Sequence, residues 1–83
     1  MGNLAENLTL LRKDRGYTRQ DIASLIDTNW QTYKNWEYGR TEPNVGFLIK
    51  ISTLYQISID ELVGVKEIRE SKLINKPKKA DTK

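Results

Sequence analysis

Two residue types are missing from this chain of 83 residues, which has no cysteine and no histidine. Without cysteine, neither a disulfide nor a thiolate metal site can staple the fold. Without histidine, the commonest general base, the commonest metal ligand and the usual pH switch are lost together. The Asp and Glu residues are scattered along the chain, where they suit helix caps and solvated faces. Such a set builds no nucleophile, base or metal site, so the sequence predicts no enzyme, no metal and no cofactor. Long apolar runs are absent as well. No stretch approaches the roughly 20 residues of a membrane span. Residues 1–16 are polar and amphipathic and lack the apolar centre of a signal peptide, so the expectation is a cytoplasmic protein.

No internal repeat and no period-two pattern is present, which leaves helices. The length suits one small domain, which buries only about 60% of its unfolded surface and gains modest stability. Charge is unevenly spread. Residues 1–65 carry seven Lys/Arg against eight Asp/Glu, and residues 66–83 carry seven against three. The net charge of +3 therefore comes from the tail. Bulk charge says little about nucleic acid here, and the placement of a few cations has to carry that argument.

Five helices can be read from caps, stops and apolar spacing. The first starts near Asn3, with Glu6 as capping-box partner, buries Leu4, Leu8 and Leu11, and ends at Gly16. The second opens at Thr18 with Asp21 answering the cap, and buries Ile22, Ala23 and Ile26. A third opens at Thr28 or Asn29, buries Tyr33 and Trp36, and stops at Gly39. Pro43-Asn44 begins the fourth, which buries Phe47, Leu48, Ile51 and Leu54. Ser58 with Glu61 caps the fifth, which buries Ile59 and Leu62 and stops near Gly64. Residues 1–65 read as the domain and 66–83 as an extension. In that extension, Val65, Ile68 and Leu73 allow one more short amphipathic helix before Pro77 and a disordered basic tail.

Residues Tyr17 to Pro43 have the grammar of two short helices joined by a tight turn. With Arg12, Gly16, Thr18, Ala23, Trp36, Glu37, Gly39, Pro43, Leu54, Ile57-Ser58 and Leu62, the chain resembles the Cro/C1-type (XRE-like) helix-turn-helix domains of phage repressors and bacterial transcriptional regulators. The resemblance spans roughly residues 4–64. It implies an all-α, five-helix, lambda-repressor-like fold that binds double-stranded DNA as a homodimer on an inverted repeat, with helix 3 in the major groove.

With Tyr33 and Trp36 facing inward, Trp30, Gln31, Thr32, Lys34 and Asn35 are left outside. Gln31 and Asn35 are four apart and share a face. Each carries an amide able to pair bidentately with adenine, and Thr32 suits a thymine methyl. By resemblance, Trp30, Gln31, Thr32 and Asn35 are the base readers. The same resemblance assigns phosphate contacts to Arg19 and Gln20 at helix 2, Lys34 on helix 3, Arg40 and Thr41 after it, and Asn44 at helix 4. The plain alternative for all of these is a solvated face and ordinary capping. Arg12 and Glu37 occupy positions that form an internal ion pair in the family.

Two departures stand out. Asp27 and Thr28 replace the family's glycine and small apolar residue in the turn, and Asp is among the residues that best tolerate a left-handed backbone. Trp30 takes a slot that usually holds a polar residue. An indole there suits bases or sugar-phosphate, packing against helix 2, or a protein partner. The last option supplies the rival function, a modulator or antirepressor that docks on another regulator. Ile57, Ile59, Val63, Val65 and Ile68 offer a dimer surface, unless they only close the core.

Overall fold

A computed structural model describes residues 3–74, and among them the secondary structure is helical throughout. The α-helices are α1 (Leu4–Arg15), α2 (Arg19–Leu25), α3 (Trp30–Glu37), α4 (Val45–Tyr55) and α5 (Ile59–Val63), followed by one 3-10 turn at Glu70–Lys72. The expected disordered tail, from Pro77 onward, lies outside the described residues.

Every α-helix starts on a side-chain oxygen that accepts a backbone N–H three residues on. The caps are Asn3, Thr18, Asn29, Asn44 and Ser58. Thr18 with Asp21 and Ser58 with Glu61 form reciprocal capping boxes. At α1 the cap is simpler than expected, because Glu6 supplies its backbone N–H to Asn3 Oδ1 at 2.9 Å. Between α2 and α3 the turn is kept without glycine. Asp27 takes a φ of 67°, and the Thr28 N–H closes back on the Ala23 carbonyl at 2.9 Å.

Leu8, Leu11, Ile22, Ala23, Ile26, Tyr33, Trp36, Ile51, Tyr55, Ile57, Leu62 and Leu73 form the core. Leu4, Phe47, Leu48 and Leu54 pack on it as partly buried residues. Trp36 meets Tyr33 edge-on at 6.0 Å and Phe47 at 5.2 Å, which locks α3 against α4. Asn7 Nδ2 donates to the carbonyls of Glu61 and Leu62 at 3.1 and 3.0 Å, so α1 satisfies the open end of α5.

Two expectations are corrected. Ile59 is exposed rather than buried. The helix α5 has only five residues. Its burial falls on Ile57 and Leu62, which flank the cap in hydrophobic-staple positions. Ile59, at the first helical position, turns outward. The stretch after Val65 forms no amphipathic α-helix. It runs back as a strap over α1 and α5. Leu73 is buried, the Ile74 N–H donates to Asp14 Oδ2 at 2.7 Å, and Arg15 Nη2 donates to the Lys72 carbonyl at 3.3 Å.

Candidate nucleic-acid interface

The outward side of α3 follows from its inward side. Tyr33 and Trp36 are buried in the core, and Trp30 and Gln31 are exposed. Thr32, Lys34 and Asn35 are half-buried. Trp30 keeps 40% of its surface open. It forms a ridge between two shallow clefts that share Gln20. One is lined by Ala23, Ser24, Asp27 and Thr28, and the other by Arg12, Tyr17, Thr18 and Arg19. Lys34 Nζ lies 5.1 Å from the Trp30 ring and 5.8 Å from the Tyr38 ring. Residues 30, 34 and 38 thus run along one face at spacing four, aromatic, cation, aromatic.

Below this face sits a buried carboxylate. Glu37 accepts Arg12 Nε at 2.6 Å and Arg12 Nη2 at 3.2 Å, which is a bidentate pair. Tyr33 Oη donates to the same carboxylate at 2.6 Å, and Arg19 Nε donates at 3.0 Å. Arg12 also reaches the Tyr17 carbonyl at 3.1 Å, fixing the link before α2. Burial alone would raise the Glu37 pKa. Hydrogen bonds from Arg12, Tyr33 and Arg19 outweigh that and hold the carboxyl below its ordinary value. The bond to Glu37 raises Arg12, and burial first, then that bond, pushes the Tyr33 hydroxyl upward. Two guanidiniums share one carboxylate, so this cluster keeps one positive charge in surplus. A local excess therefore exists in a region whose overall balance is slightly negative.

The residues picked from sequence fall into several groups. Trp30, Gln31, Thr32, Lys34 and Asn35 are brought together on α3. Arg40 joins them, with Nη1 at a long 3.5 Å from Asn35 Oδ1. Arg19 is tied to Glu37 as well as facing this surface, a role that sequence reasoning missed. Gln20 and Thr41 are exposed. Asn44 spends its side-chain oxygen on the Phe47 N–H at 3.0 Å. Of the apolar residues suggested for a dimer, Ile57 is in the core, Val63 and Ile68 are half-buried, and Ile59 and Val65 are exposed. Tyr38 was missed altogether, although it is 51% exposed. Its spacing from Trp30 and Lys34 was the available signal. Among the described residues, no group of three or more Asp and Glu side chains is placed to hold a metal ion.

Comparison with known proteins places this geometry. A helix-turn-helix family model matches residues 8–62. The HTH-type transcriptional regulator ImmR of Bacillus subtilis is 31% identical over 77 residues, covering 89% of this chain and 61% of that protein. The cryptic phage CTXphi transcriptional repressor RstR of Vibrio cholerae is 36% identical over 61 residues, covering 74% of this chain and 54% of that protein. The chain thus spans about half to three-fifths of the length of the curated relatives it matches. A transcriptional regulator from Listeria innocua superposes with a TM-score of 0.72 at 39% identity, over 80% of this chain and 63% of that one. The P22 c2 repressor, solved with a synthetic operator, superposes with a TM-score of 0.74 over 80% of this chain and all of that one. At 23% identity that second likeness speaks for the fold alone. With the family model spanning both helices of the motif and the cap, turn and core residues around them, this chain belongs to the helix-turn-helix family.

Proposed function

We propose that this chain is a sequence-specific double-stranded DNA-binding transcriptional regulator, of the repressor type, that reads the major groove with α3. The observation that carries the reading is the outward face of α3. Its amides at Gln31 and Asn35 lie on one strip of the helix, beside the strip of Trp30, Lys34 and Tyr38, whose rings carry the cations Arg19, Lys34 and Arg40. An amide can meet adenine bidentately in the groove, and flanking cations suit phosphates on either side. The printed names of the relatives, transcriptional regulators and a phage repressor, support the same reading. Gln20, Thr41 and Asn44 sit on the segments expected to meet backbone phosphates.

Binding to an inverted repeat as a homodimer goes with this reading. Ile59 and Val65 are the exposed apolar residues available near the end of the domain. A cytoplasmic setting goes with it too, and no helix among the described residues is long and apolar enough to cross a membrane. The exposed indole of Trp30 favours a second reading, in which the same face docks on another regulator. Selection of bound duplexes from a random pool, with a pull-down from lysate alongside, separates the two. An enriched palindrome is expected. No enriched DNA together with one captured protein would replace the first reading by the second.

A further inference from the structure

The Tyr38 ring is surrounded by three cations from three different segments. Arg19 comes from the start of α2 and lies 5.4 Å from the ring centre. Lys34 comes from α3 at 5.8 Å, and Arg40 from the loop after it at 5.1 Å. Like charges repel, so three of them around one ring require a local reason. Glu37 supplies part of it by anchoring Arg19 through Nε. The electron-rich ring of Tyr38 supplies the rest, a role it shares for Lys34 with the nearer Trp30 ring at 5.1 Å. Tyr38 itself is the C-cap of α3 and half open to solvent, so it holds the cations at the surface.

We propose that Tyr38 is a positioning residue that gathers Arg19, Lys34 and Arg40 into one phosphate-binding cluster, its ligand a phosphodiester of a nucleic-acid backbone. This rests on the DNA-binding reading and deepens it, because three separate clamps become one composite site built on an aromatic ring. Long cationic side chains lose rotamer freedom when they are fixed on a phosphate. Holding them on the ring beforehand lowers that ordering cost. Arg40 also reaches toward Asn35, which places the cluster beside the reading face.

The test uses Tyr38→Ala and Tyr38→Phe in the full chain, against both selected and random-sequence duplexes. Tyr38→Ala should weaken binding to both by about three- to tenfold and flatten the salt slope by about one unit. Tyr38→Phe keeps the ring and should stay within about twofold of the wild type. Unchanged affinity and slope in Tyr38→Ala overturns the proposal. So does an equal loss in Tyr38→Phe, which would assign the effect to the hydroxyl. A loss confined to selected duplexes overturns it too, by making Tyr38 a reader of sequence. Titration with inorganic pyrophosphate, followed by NMR at Arg19, Lys34 and Arg40, gives a readout free of DNA. Shifts at all three that weaken in Tyr38→Ala are expected, and no shift at them overturns the cluster. If the wild type binds no duplex but these shifts remain, the DNA reading fails and the phosphate cluster stands.

Discussion

Two buried tyrosines use their hydroxyls in opposite ways. Tyr33 Oη donates to Glu37 Oε2 at 2.6 Å, whereas Tyr55 Oη is buried with no hydrogen-bond partner among the described residues. Tyr33→Phe should therefore cost about 1.5–3 kcal/mol, because it strips a donor from a buried carboxylate. Tyr55→Phe should be neutral or slightly stabilising, since the group removed satisfies nothing. Urea unfolding of the two variants compares them directly, and equal losses would contradict this account of Glu37. At the reading face, Gln31→Ala should cost about 1–3 kcal/mol of binding and relax preference at one base position. Binding assays against single-position operator variants check this, and uniform weakening across sequences would refute direct readout by Gln31.

Helices α1 to α4 all end in the same way. Each closes with an N–H bonded back to a carbonyl five residues earlier, at 3.1, 2.9, 2.9 and 3.0 Å from Tyr17, Thr28, Arg40 and Ile57. This is the Schellman arrangement, and it puts one residue of each in the left-handed region. Gly16 and Gly39 take it freely, but Asp27 and Gln56 take it at φ values of 67° and 58°. A side chain there costs about 1–2 kcal/mol, less for Asp than for Gln. Gln56→Gly should raise stability by about 0.5–1 kcal/mol, after the entropy lost by a glycine is subtracted. Thermal unfolding measures it, and a lower melting temperature would mean that the Gln56 side chain makes up for the strain. The stop at Gln56 was not legible in the sequence, because no glycine or proline marks it. The starts were legible, because each cap is a local exchange within three residues.

At the scale of the whole molecule, the strap of residues 66–74 is held by carboxylates from the helical body. Glu61 accepts Lys72 Nζ at 2.8 Å and the Arg69 N–H at 3.2 Å, while it also caps α5 through Ser58. The bond from Lys72, with those from Ser58 and Arg69, lowers its carboxyl to about 2. An unfolded glutamate titrates near about 4.3. The folded carboxyl binds its proton less tightly, so its stabilisation is complete above that value and is lost as pH falls toward about 2. Glu37, also lowered, acts in the same sense. Glu61→Gln should be less stable at neutral pH and should lose less stability than the wild type on acidification through this window. Melting temperature against pH checks it, and parallel curves would remove Glu61 from the acid response.

The sequence by itself determined the order of the helices, their starts and most of their inward faces. Those features depend on neighbours three or four residues away, and Thr18 with Asp21 or Tyr33 with Trp36 carry them locally. It also carried the amide face of α3, because an inward stripe leaves an outward one. Only the tertiary structure decided which charges are committed and which remain available. Arg12, Tyr33 and Arg19 converge on Glu37 from three helices, so no local pattern announces that Arg19 is shared. Asn7 finds the end of α5 across 55 residues, and Asp14 finds Ile74 across 60. Ile59 turned outward for a related reason, since a five-residue helix is placed by its staple and its neighbours rather than by its own period. The Tyr38 cluster belongs to the same class, because its cations meet only after the helices have packed.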